Sequence, residues 1–141
     1  MELAHTVFLD ACAIIYSMEA PEPWYGQLRQ QLKMFQQTHE NIDIAVSDLS
    51  RLECLVKPLR DKQAEIVKLY ETFFNHPDLT VQTLTPAVIE QALKIRVEYG
   101  LKTPDSIQAA CAFESGQAFS FVTADKNFMI IKELNVVLIG D

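Results

Sequence analysis

The chain has 141 residues, 49% hydrophobic and 22% charged, with only 4 glycines and 6 prolines, which fits a single domain over 1–141 with its own core and excludes a disordered chain. A formal net charge of −7 excludes non-specific DNA coating, which needs Lys and Arg to neutralise phosphates, so a nucleic-acid substrate would need bound cations. No apolar run nears the roughly 20 residues of a membrane span, and no basic, then apolar leader opens the sequence; a cytoplasmic protein without a membrane partner is expected.

Residues 6–9, Thr-Val-Phe-Leu, form an apolar run with β-branched content and predict a buried strand that ends at Asp10. Residues 11–18 are compatible with a helix, and Pro21 and Pro23 interrupt the pattern before an amphipathic helix over 24–37 with Leu28, Leu32 and Phe35 on its apolar face. A second strand is expected over 43–46, followed by Ser47 as cap of a helix that carries Leu49, Leu52 and Leu55, with Glu53 about two turns in.

After Pro58, residues 62–74 space Ile66, Leu69, Tyr70 and Phe73 as an amphipathic helix that Pro77-Asp78 ends. A third strand is read over 79–84. Thr85-Pro86 then opens a helix to about Tyr99 that Gly100 stops, and Thr103-Pro104 repeats that start signal for a helix closed by Gly116, with Asp105 in its first turn. Residues 119–122 and 136–139 predict the fourth and fifth strands, with a short helix over 126–134 between them. Alternating strands and helices favour an α/β three-layer sandwich with a mainly parallel, about five-stranded central sheet, because parallel neighbours need helical crossovers.

In such sheets ligands gather beyond the carboxyl ends of the strands. Asp10 ends the first strand, Asp125 follows the fourth and Asp105 starts a helix, so the three acids can share that edge, with Glu53 as a fourth wall. Each acid alone also suits a turn, a helix start or an exposed helix face, and Asp43 or Asp48 could replace Glu53. Together, four carboxylates around a wet cleft suit a hard cation such as Mg²⁺ (or Mn²⁺), which prefers oxygen ligands and keeps several waters.

Other residues are less informative. Cys12, Cys54 and Cys111 lack the paired spacing of zinc or redox sites and read as buried free thiols. His5, His39 and His76 have no metal-binding spacing and read as surface or turn residues. Trp24 and Tyr25 read as packing anchors or dimer contacts rather than base-stacking platforms. Arg51 could approach RNA phosphates or lie on a solvated face. No nucleophile motif surrounds the serines or cysteines, and Asp10-Ala11-Cys12-Ala13 lacks the glycines of a dinucleotide-binding turn.

Four segments in order, Val7-Phe8-Leu9-Asp10, Val46 to Glu53, Leu101 to Ile107 and Phe121 to Phe128, resemble the PIN-domain ribonucleases, in particular the VapC toxins of VapBC toxin–antitoxin pairs. The resemblance covers nearly the whole chain. It implies Asp10, Glu53, Asp105 and Asp125 as the acidic catalytic and metal-binding quartet, with Ser47 and Thr123 in the surrounding polar shell. It also implies RNA as substrate, inhibition by a cognate antitoxin protein, and a homodimer. The sequence departs from the family after the first acid, where Ala11-Cys12 stand in place of the more usual hydroxyl residue and asparagine. That departure supports the alternative of a catalytically inactive PIN-like interaction module.

Overall fold

The computed structural model describes residues 5–19, 30, 32–34, 36, 37, 41–116 and 119–139. In chain order these form β1 (His5–Leu9), α1 (Ala11–Met18), β2 (Ile42–Ser47), α2 (Asp48–Arg60), α3 (Ala64–Phe74), β3 (Leu79–Gln82), α4 (Pro86–Tyr99), α5 (Thr103–Ser115), β4 (Phe119–Thr123), a short 3₁₀ helix (Lys126–Ile130) and β5 (Val136–Leu138). The strands make one sheet in the order β3-β2-β1-β4-β5, and every neighbouring pair is parallel. The expected α/β sandwich is therefore the observed fold.

Strand periodicity splits the core into two layers. Val7, Leu9, Val46 and Val122 point to the side of α1, α2 and α3, where they pack with Ile14, Cys54, Leu55 and Tyr70. Phe8, Ala45 and Phe121 point to the other side, against Val88 and Ile95 of α4, Ala109 to Ala112 of α5, and Phe128. The Phe8 and Phe121 rings stack 5.5 Å apart across β1 and β4. Burial on both faces explains why β1 reads as an unbroken apolar run.

The chain runs from β1 outward through β2 to β3, then returns to place β4 on the other side of β1. A reversal of this kind opens a crevice at the carboxyl ends of the two central strands. Residue-level pairing of Leu9 with Val122 brings the ends of β1 and β4 side by side. The helices that follow strands are fixed locally: Ser47 accepts from the Leu49 amide, Thr85 from the Val88 amide, and Gly100 ends α4 in the left-handed region at φ 72°.

Several local expectations change. The helix expected over 62–74 begins only at Ala64, because Lys62 at φ 56° breaks the path before α3, and Pro58 lies buried in the last turn of α2. The cap of α5 is Lys102 rather than Thr103, and the Leu101 carbonyl before it accepts Arg96 Nη1 of α4 at 2.6 Å and Ser106 Oγ of α5 itself at 3.3 Å. The helix expected over 126–134 is one short 3₁₀ segment, and β3 stops at Gln82.

His5 is not a surface residue; it sits buried in β1 with Nε2 2.8 Å from Ser120 Oγ. Cys54 and Cys111 are buried as expected, whereas Cys12 is exposed. Of the helix expected over 24–37, Leu32 is helical and packs on the α1–α3 layer, while Trp24, Tyr25, Leu28 and Phe35 lie outside the described residues, as does His39. Among the described residues no helix is long and apolar enough to cross a membrane.

Candidate functional site

Asp10 leaves β1 directly and caps α1, with Oδ1 accepting the Ala13 amide at 2.9 Å. Its other oxygen accepts the Thr123 hydroxyl at 2.5 Å, so the first and fourth strands are tied together at their carboxyl ends. The side chain is 3% exposed. Burial pushes its carboxyl up to about 7; the Thr123 and Ala13 bonds act against that rise, and the charges of Asp125 and Asp105 add to it. Among the described residues no cation forms an ion pair with it.

Thr123 is itself buried and has a second task, since its oxygen accepts the Asp125 amide at 3.0 Å. Asp125 then caps the 3₁₀ helix through the Asn127 amide at 2.9 Å. A single threonine thus orients two acids from one strand end. Asp105, in the first turn of α5, lines a cavity of about 480 Å³ together with Asp125, Lys102, Lys126 and Asn127. Its carboxyl is raised by burial and by Asp125, against the pull of Lys102.

Glu53 lies half-buried on α2 and accepts a hydrogen bond from Gln108 Nε2 at 3.0 Å. Burial raises its carboxyl, the Gln108 bond lowers it, and repulsion from Asp105 raises it again. The two helices meet here through one-turn pairs, Ser50 with Glu53 on α2 and Asp105 with Gln108 on α5, and Gln108 Nε2 also reaches Ser50 Oγ at 2.7 Å.

The four acids form an electrostatic chain, Asp10 with Asp125 and Asp105, and Asp105 with Glu53. The Cys12 thiol senses all of them: desolvation first, then Asp10, Asp125, Asp105 and Glu53, push it up to about 12. It stays protonated beside the acids. The residues that stand in place of the family's polar pair therefore contribute no charge.

Two expected members sit elsewhere. Ser47 bonds to the Leu49 amide at 3.1 Å and to Cys111 Sγ at 3.3 Å rather than to any of the four acids, so its hydroxyl caps α2. Arg51 is exposed beside a separate hollow of about 380 Å³ lined by Asp48, Leu52, Val56 and Leu59.

The sequence matches the PIN domain over residues 7–134. The chain belongs to the PIN domain family. No curated protein matches it at the sequence level. Among solved structures this PIN domain is similar to VapBC2 from Rickettsia felis, bound to a DNA fragment from its promoter, with TM-score 0.72 and 18% identity over 96% of this chain and 99% of that one. It is similar to a toxin–antitoxin complex from Klebsiella pneumoniae, with TM-score 0.69 and 20% identity over 93% and 95%. A third similar structure is VapC20 of Mycobacterium tuberculosis, a sarcin-ricin loop cleaving toxin, with TM-score 0.69 and 14% identity over 87% and 92%. At these identities the likeness is one of fold.

Among the described residues of this PIN domain, no three His, Cys, Asp or Glu side chains gather closely enough to enclose a metal ion. The donors are nonetheless all hard carboxylate oxygens that raise one another's affinity for protons, and hence for cations. Such a set fits a cation that keeps most of its water and takes one or two direct carboxylates. It does not fit a closed structural zinc site.

Gln108, Ser50, Lys102 and Lys126 were not singled out from sequence. The signal for the first two was present as spacing, because each lies one helical turn from an acid already identified. The lysines adjoin Asp105 and Asp125 in sequence, but only the fold shows that they line one cavity.

Proposed function

We propose that this PIN domain is a Mg²⁺- or Mn²⁺-dependent ribonuclease that hydrolyses RNA phosphodiester bonds, acting in the cytoplasm as the toxin of a type II toxin–antitoxin pair. The observation that carries the reading is Asp10, a buried carboxyl at the end of the central strand with its two oxygens fixed by Ala13 and Thr123 and with Asp105 and Asp125 adding negative charge. Acids perturbed in this way cluster at functional sites, and a bound cation would relieve their mutual repulsion. Asp10 and Asp105 would hold it directly, and Asp125 and Glu53 would hold its waters. When bound, the cation supplies charge neutralisation at the phosphate and an acidified water.

The chain's own residues do the rest. Thr123 keeps Asp10 and Asp125 in fixed orientation, and Lys102 and Lys126 offer cationic ends to RNA phosphates in the cavity that Asp105 and Asp125 line. A cognate antitoxin would cover the acids with a basic side chain, best an arginine, and the active form would be a homodimer. The toxin–antitoxin complexes that share the fold support the antitoxin as partner.

Metal-free protein incubated with RNA, before and after Mg²⁺ or Mn²⁺, tests this function. Cleavage should appear only with cation and vanish with chelator. Cleavage that survives chelation refutes the proposed chemistry. Absence of cleavage with either cation favours the interaction module that Ala11-Cys12 suggest.

A further inference from the structure

The helix side of the cleft contains a glutamine whose bonding is lopsided. Gln108 is 3% exposed, and both its amide donor contacts are long-range: Ser50 Oγ at 2.7 Å and Glu53 Oε1 at 3.0 Å, each on α2. Its own oxygen, Oε1, has no donor among the described residues. Leaving a buried carbonyl unmatched costs about 1–3 kcal/mol. A methionine of similar length would fill the space without that penalty, so packing alone does not favour glutamine.

What the amide supplies is a fixed donor to Glu53. A glutamate on a half-exposed helix face has several rotatable bonds, and freezing them opposes any single placement of the carboxylate. An amide N–H can only donate, so the contact fixes one Glu53 oxygen as acceptor and holds the carboxylate in one orientation. Ser50, fully buried, takes the second contact and prevents the amide from turning away.

We infer that Gln108, anchored by Ser50, is a positioning residue that holds the Glu53 carboxylate beside Asp105 for cation binding. The inference rests on the nuclease reading. Gln108 contacts neither cation nor RNA and acts through Glu53. It is the helix-side counterpart of Thr123.

The test is Mn²⁺ binding to the full chain by calorimetry, with melting temperature measured on the same samples. Gln108→Met should weaken binding about tenfold, as is usual when a group that orients a metal ligand is removed, with melting temperature unchanged or raised. Glu53→Gln should weaken binding to a similar degree. The double variant should bind no more weakly than Glu53→Gln alone, since both remove one function.

Wild-type binding by Gln108→Met, or additive losses in the double variant, overturns the inference and leaves the nuclease reading standing. Failure of wild-type protein to bind Mn²⁺ overturns both. Should Gln108→Met not fold, Ser50→Ala releases the amide without touching Glu53; weaker Mn²⁺ binding then supports the inference, and unchanged binding overturns it.

Discussion

The two halves of the acidic cleft are built by different means. Asp10, Thr123 and Asp125 sit at the ends of adjacent central strands, where the Leu9–Val122 register places them and backbone amides of Ala13 and Asn127 hold them. Glu53, Asp105 and Gln108 sit on two helices, and the reach from α5 to α2 is made by side chains alone. Strand register cannot slip without moving every side chain of the strand into the opposite core layer, whereas a side-chain bridge can be lost with little effect on the fold. The strand half should therefore combine catalysis with stability, and the helix half should separate them.

The largest effect should come from Asp10→Asn, which removes the ligand charge and should lower RNA cleavage on the order of 100-fold or more. The same change should stabilise the metal-free protein above pH 7. The carboxyl of Asp10 is raised from 3.8 to about 7, so the folded state binds more protons than the unfolded state between those values. Its contribution is thus present in full below about pH 4 and is lost as pH rises through about 7.

Neutralising Asp10 should flatten that loss and add about 2 kcal/mol at pH 8, after allowing for one accepted hydrogen bond that asparagine cannot replace. Thermal melts of metal-free protein from pH 4 to pH 8 check the slope. A variant that is equally active, or melts with the wild-type pH dependence, would remove Asp10 from its assigned place.

Thr123→Val should follow, lowering cleavage about tenfold by freeing the ligand that threonine orients and lowering stability by about 1–3 kcal/mol by leaving a buried carboxyl without its donor. The joint loss is the signature of the strand half. Were activity to fall with no change in melting temperature, the distinction between the halves would fail.

The smallest effects should be those of Lys102→Ala and Lys126→Ala. Each should raise KM for RNA modestly and flatten the salt dependence of binding by about one in log–log slope, with kcat nearly unchanged. Equal salt slopes for wild type and variants would show that these lysines do not meet phosphates.

The fold was readable in the sequence where one local rule acted alone. The apolar run at Val7-Phe8-Leu9, the Ser47 cap, and the Thr85-Pro86 start with its Gly100 stop all appear where expected. Errors arose where side-chain bonds and backbone conformation overruled the residue pattern: Leu101, held by Arg96 and Ser106, precedes a start of α5 at Lys102, and Lys62 at φ 56° delays the start of α3.

The acids were identifiable because strand ends and helix starts can be read from the chain, and Asp10, Asp105 and Asp125 occupy such positions. Their orienting partners were harder to find. Thr123 came from a family resemblance rather than from spacing. The Gln108–Glu53 contact joins residues 55 positions apart, and no local pattern specifies which helix faces which.

The bond from Thr123 to Asp10 spans 113 positions in the chain. Since β1 has β2 on one flank and β4 on the other, the central strand keeps an open flank in a growing polypeptide until Phe119–Thr123 have been made. Contacts of such long separation form late and close large loops. Under the proposed function, a nascent chain that stops short of β4 lacks the hydroxyl that orients Asp10 and is harmless to RNA, so its cutting edge arrives only with Thr123.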